Sequence, residues 1–219
     1  MENIENILKS QRVTTTQNIQ TQNLKQPLKP IEKVNLGVKL SSTFASFQPV
    51  PGTEAAKNAV MAVVDGKRKM VMIYGGVGNG KTHLLHAASI ELYKRGQFCH
   101  VMNFADILST LKATINNPEK DYETILKNYC FGERLIIDDI GAGGSDTDFA
   151  DNVLERIVCA RYGRELLTIM ATNREIELLP KRVQDRLKDK EICYLVLNKA
   201  SSYRPKKGCN NTATVVRGR

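Results

Sequence analysis

The stretch "YGGVGNGKTHLLHAA" (residues 74–88) sets Gly75, Gly76, Gly78 and Gly80 ahead of Lys81, Thr82 and an abruptly helical run. Gly75 through Gly80-Lys81-Thr82 fits G-x-x-x-x-G-K-[ST]. In that pattern small residues let backbone N–H groups close around phosphate oxygens. The loop itself is Gly75, Gly76, Val77, Gly78, Asn79 and Gly80. Thr82 opens a helix ("THLLHAASIELYKRG"), whose positive dipole end faces the same phosphates. Lys81 is expected to reach the β- and γ-phosphates, and the Thr82 hydroxyl to ligate Mg²⁺. "KMVMIY" (69–74), just before the loop, reads as a buried strand. Strand, loop and helix are the setting this motif requires, so the segment predicts a nucleoside triphosphate site with Mg²⁺.

Working outward, "RLIIDDIG" (134–141) is an apolar strand that delivers Asp138 to its carboxyl end, where it can join the Mg²⁺ shell beside Thr82. Asp139 stands where a general base would polarise an attacking water. "ELLTIMATN" (165–173) is a further strand and ends in Asn173, an amide suited to orienting a water or the γ-phosphate. "LPKRVQDRLKD" (179–189) puts Arg182 and Arg186 on one helical face.

The remaining elements follow from periodicity. Helices are expected over 53–64, about 82–95, near 105–116 and 119–130, over 147–163 and near 180–189. The other strands are 98–104 and 191–198. Strands alternating with helices at this spacing predict an α/β P-loop NTPase fold with a five-stranded parallel sheet flanked by helices. The domain expectation is a disordered Gln/Asn-rich segment with a short amphipathic helix at 1–43, an ATPase domain at 44–204 and a basic tail at 205–219.

The chain has 219 residues and a formal net charge of +9. Residues 1–43 carry 6 basic and 3 acidic side chains, residues 199–219 carry 6 basic and none acidic, and the middle has 20 of each. The excess therefore sits entirely in the end segments, which fits either a solubilising role or a polyanionic partner. No apolar run approaches the ~20 residues of a membrane span, and Cys99, Cys130, Cys159, Cys193 and Cys209 show no C-x-x-C pairing. A reduced, cytoplasmic protein without membrane contact is the expectation.

Together these segments resemble the AAA+ ATPases, specifically the helicase-loader branch typified by DnaC and DnaI, with the transposition helper IstB as a relative, over roughly residues 41–207. "STFASFQPVPGTEAAKNA" looks like the stretch that helps enclose the adenine. "GGVGNGKTHLLHAA" and "LIIDDIGA" look like Walker A and Walker B, and "MATN" resembles sensor 1, carrying that role to Asn173. "KRVQDRL" resembles the arginine-finger helix, whose finger falls on Arg186, and "SYR" matches sensor 2, on Arg204. The resemblance implies ATP hydrolysis, self-association in an ATP-dependent ring or spiral, single-stranded DNA contact and delivery of a replicative hexameric DnaB-type helicase. It also implies an AAA+ core without a full helical lid, and places a DNA-facing insertion near 105–130, where Lys112, Lys120 and Lys127 could track phosphates and Phe104 or Tyr122 could stack on bases.

Two departures stand out. Walker B ends Asp-Asp where most AAA+ proteins have Asp-Glu, so slow hydrolysis is one expected consequence. The typical loader's N-terminal docking domain has no counterpart in residues 1–43. Two alternatives stay open: an IstB-like transposition helper, and an ATP-switched DNA-binding adaptor with little turnover. A small-molecule kinase would need an Arg-rich lid between the third and fourth strands, where "GAGGSDTDFADN" is acidic. A GTPase reading of "LNKAS" (197–201) would need Asp where Ser201 stands.

Overall fold

The computed structural model describes residues 35–115, 121–141, 147–200 and 202. Helix α1 (Glu54–Val64) buries Ala56, Ala59, Val60, Val63 and Val64, the i, i+3, i+4, i+7 stripe of a helix laid on a core. Strand β1 (Met70–Tyr74) is apolar and buried over its first four residues, as a strand covered on both faces must be. Helix α2 (Lys81–Lys94) leaves the glycine-rich loop. Then come β2 (Val101–Asn103), α3 (Phe104–Ile115), α4 (Tyr122–Phe131), β3 (Arg134–Ile140), α5 (Thr147–Tyr162) and β4 (Leu167–Thr172). A 3₁₀ turn (Ile176–Leu178), α6 (Lys181–Leu187) and β5 (Cys193–Leu197) complete the order.

The strands pair in parallel in the order β2-β3-β4-β1-β5, the five-stranded parallel sheet expected. Alternate residues of each strand point to opposite faces. Met70, Met72, Ile137 and Met170 face a core built with α3, α4, α5 and α6. Val71, Ile73, Ile136, Ile169 and Ala171 face a second core built with α1 and α2. The chain leaves β1 for the far edge at β2, returns through β3 and β4 to β1's one side, and ends on its other side. The carboxyl ends of β1, β3 and β4 therefore adjoin where the strand order reverses, the crevice in which open α/β sheets bind ligands.

Three details differ from the sequence reading. Packing begins ahead of residue 44: Leu36 is 2% exposed, and its carbonyl accepts the Val101 N–H at 2.8 Å. Strand β2 is shorter than 98–104 because Asn103 Oδ1 accepts the Ala105 N–H at 2.9 Å and starts α3 at once. Arg161 is wholly buried, with no carboxylate among its partners. Its guanidinium donates to Thr168 Oγ1 and to the carbonyls of Tyr129, Gly132 and Leu167, each at 2.8 Å. Burial pushes its pKa down to about 10, so the group stays charged at neutral pH and ties α5 to α4 and β4.

Candidate functional site

The loop between β1 and α2 is fastened by its own lysine. Lys81 is 6% exposed, and its Nζ donates to Gly75 O at 2.9 Å, Gly76 O at 2.7 Å and Asn79 Oδ1 at 3.0 Å. Burial pushes the Lys81 pKa below its ordinary value, while Asp138 and Asp139 pull the other way. Gly80 has φ +93°, and a Cβ there would stand 3.0 Å from the Phe47 ring. Both the left-handed backbone and the aromatic wall thus require glycine.

Across the crevice, β3 carries one extra residue opposite β4. Ile137 pairs with Met170, but Ile140 pairs with Thr172. This bulge contains Asp138 and Asp139, and bulges re-aim side chains. Asp139 has φ +56°, a left-handed conformation that Asp tolerates better than most residues. Asp138 Oδ1 accepts the Asp139 N–H at 2.9 Å, and Asn173 Nδ2 donates to Asp139 Oδ1 at 2.7 Å. Thr172 Oγ1 ties the turn to Ile140 O at 2.7 Å.

Loop and bulge open on one cavity of about 970 Å³, lined by Val77, Gly78, Asn79, Gly80, Lys81, Thr82, Asp138, Asp139 and Asn173. Its other wall is the segment before α1: Ser42, Ser46, Phe47, Gln48, Val50 and Thr53, joined by Lys39 and His83. The His83 ring meets Phe47 edge-on at 5.2 Å. His86, one turn further along α2, accepts the Lys39 N–H on Nδ1 at 3.3 Å. Burial lowers the His86 pKa against the opposing pull of Asp138. A half-apolar pocket thus continues into a cradle of backbone N–H groups, an ammonium and two carboxylates. Chemically that suits an aromatic base followed by a string of phosphates. Thr82 and Asp138 supply hard oxygen donors of the kind Mg²⁺ takes when phosphates complete its shell.

Gly75 and Gly76, at the root of the loop, meet Lys81 through their carbonyls. Arg186 does not line this cavity. It is exposed on α6, its guanidinium 4.9 Å from the centre of the Tyr162 ring on α5. Arg182, one turn earlier, pairs with Glu155 at 3.1 Å. Arg204, like Lys120, lies outside the described residues. Phe104 corrects an expectation: at 3% exposure it belongs to the core and cannot stack on a base. Tyr122 packs beneath Arg156, 6.0 Å from ring centre to guanidinium. Two lining or supporting residues escaped the sequence reading. Asn103, in register with Asp138, lines the cavity, and Asn198, just after β5, is buried against the loop. The one available signal was an amide closing an apolar run, as in "YLVLN".

Residues 38–194 match the family model of the bacterial DnaA ATPase domain. The replicative helicase loader DnaC of Escherichia coli K12 is 31% identical over 138 residues, 61% of this chain and 56% of that protein. The chain thus spans a little over half the length of the curated relatives it matches. A crystal structure of the DnaC helicase loader superposes with a TM-score of 0.62 at 21% identity, covering 73% of this chain and 97% of the other. The replication initiator DnaA bound to AMPPCP and single-stranded DNA superposes equally well, TM-score 0.62 at 22% identity, covering 73% and 50%. Among the described residues no helix is long and apolar enough to cross a membrane. Sheet order, glycine-rich loop, bulged aspartates and a family match across most of the sequence agree: this chain belongs to the bacterial DnaA ATPase-domain family of P-loop AAA+ proteins and is a relative of the helicase loaders.

Proposed function

We propose that the chain binds ATP with Mg²⁺, hydrolyses it and couples that cycle to placing a hexameric DnaB-type helicase on single-stranded DNA. The observation that carries this reading is the convergence of the phosphate loop, the Asp138–Asp139 bulge and Asn173 on one cavity. The loop N–H groups and Lys81 hold the phosphates. Phe47 and its neighbours receive the base. Thr82 and Asp138 hold Mg²⁺, which when bound screens the phosphate charge. Asp139, restrained by Asn173, takes the proton of the attacking water. Arg186, which does not line its own cavity, reaches a neighbouring subunit's γ-phosphate in a ring or spiral. Arg204 serves as sensor 2, and the basic segment 205–219 contacts the nucleic acid backbone. The relative named as a helicase loader and the DnaA structure with single-stranded DNA support the partner assignment.

One observation favours a second reading, an ATP-controlled switch with little turnover. The Asp139 side chain is short and one of its oxygens is taken up by Asn173, which limits its reach towards an attacking water. ATPase assays with and without single-stranded DNA, beside capture of a purified DnaB-type helicase, separate the readings. A loader retains the helicase in ATP and speeds hydrolysis when DNA is added. A switch retains its partner in ATP without that acceleration. If the helicase is not retained in any nucleotide state, the loader assignment is wrong.

A further inference from the structure

Strand β5 ends at Leu197, yet the next residue is among the most enclosed polar groups in the protein. Asn198 is 2% exposed, and a buried amide is costly unless its donors and acceptor are met. Here they are met, and the phosphate loop supplies two of the four partners. The Asn198 N–H donates to Tyr74 O at 2.8 Å, carrying the β1–β5 ladder one step past the end of β5. Its side-chain Nδ2 donates to the backbone carbonyl of Asn79 at 3.0 Å. In return, Asn79 Nδ2 donates to the backbone carbonyl of Asn198, also at 3.0 Å. The remaining Asn198 oxygen, Oδ1, accepts the Ala200 N–H at 3.2 Å.

The pair is reciprocal, so neither amide can rotate without breaking two contacts. The chain of bonds continues inward. Asn79 presents its nitrogen to Asn198 and therefore its oxygen to Lys81, whose Nζ donates to it at 3.0 Å. The opposite orientation would set an NH₂ group against an ammonium. The fit is also close at the loop's root: a Cβ on Gly75 would stand 2.5 Å from the Asn198 carbonyl oxygen. Loop root, loop tip and lysine are thus all referred to one residue outside the motif.

We propose that Asn198 is a positioning residue for nucleotide binding: through Asn79 it clamps the phosphate loop open and sets the Lys81 ammonium. The proposal rests on the ATP reading of the cavity. A loop held in its binding geometry loses less freedom when phosphates arrive, which is how preorganisation raises affinity. It follows that β5 is mechanically joined to the nucleotide site.

Titration calorimetry of the full chain with ATP·Mg²⁺, paired with melting of the nucleotide-free protein, tests this. Removing one neutral hydrogen bond from the clamp in Asn198→Ala should weaken ATP binding about tenfold. Because both amides set one position, Asn79→Ala with Asn198→Ala should cost clearly less than the two single losses combined. A lowered melting temperature with unchanged affinity makes Asn198 merely structural and overturns the proposal, as does full additivity. Should Asn198→Ala not fold, Asn79→Ala decides from the loop side, and normal affinity there is equally fatal. Lys81→Ala separates the two levels of inference. If it loses ATP binding while Asn198→Ala does not, only the clamp is wrong. If Lys81→Ala also binds normally, the nucleotide reading falls and the clamp with it.

Discussion

The phosphate loop and helix α6 carry the two most telling basic residues, and the protein treats them in opposite ways. Lys81 is buried and bonded to three oxygens of its own loop. Arg186 is exposed on a seven-residue helix, its guanidinium held by the face of an aromatic ring. The first is completed from within the chain. The second rests on the Tyr162 ring and takes no part in lining the cavity. The proposed function gives that difference a meaning: one copy would supply a finished pocket, and the other the Arg186 cation.

Two substitutions should break the comparison most severely. Asp139→Asn removes the proposed base and should slow hydrolysis by about 10²–10⁴-fold with ATP affinity kept. Near-normal turnover would move the base elsewhere. Arg186→Ala should also bind ATP normally, because its own pocket is intact, yet hydrolyse poorly and assemble weakly. The defects are complementary, so mixing the two inactive proteins should restore part of the turnover at mixed interfaces. No recovery at any ratio, with mixed oligomers verified by cross-linking, means that Arg186 does not act in trans. Arg182→Ala is the internal control. Its partner is Glu155 on α5 of the same chain, so the loss should be small.

Much of the pocket was legible because its residues are sequential and constrained locally. β1 and β3 are apolar runs that end in glycines or in acids, and the loop pattern leaves few alternative geometries. What was not legible depends on contacts between distant segments. Nothing in "LIIDDIG" announces the extra residue that bulges β3, since the bulge exists only relative to β4. Arg161 reads as an ordinary surface arginine in the last turn of a helix, yet carbonyls from α4's end and β4 enclose it. Phe104 closes a strand-like run, but its ring turns into the core as α3 begins. Asn198 and Asn79 are 119 positions apart, and neither suggests the other until β5 lies beside β1. Leu36, ahead of residue 44, likewise meets β2 rather than anything near itself in sequence.

The finest test concerns what holds Arg186 ready. Tyr162 is half-buried at the end of α5; its hydroxyl donates to Asp189 Oδ2 at 2.5 Å and its ring lies under the guanidinium. The Asp189 bond raises the Tyr162 pKa, so the phenol stays neutral and cannot pair with Arg186 as an anion. The ring face is the support that Tyr162 itself offers, beside the Cys159 thiol that also meets the guanidinium. Tyr162→Phe keeps that face and drops the hydroxyl, so turnover should stay near that of the unmodified protein. Tyr162→Leu removes the face and should lower turnover about two- to fivefold, the modest scale of an exposed cation–π contact. Because the platform serves a residue that acts on the neighbour, ATP affinity should not change. Adding Asp139→Asn protein, whose own ring and finger are intact, should recover the loss. A fall in ATP affinity in Tyr162→Leu would put the ring's role inside its own subunit. Equal turnover in the Phe and Leu variants would show that Arg186 needs no platform, leaving α6 itself to aim it.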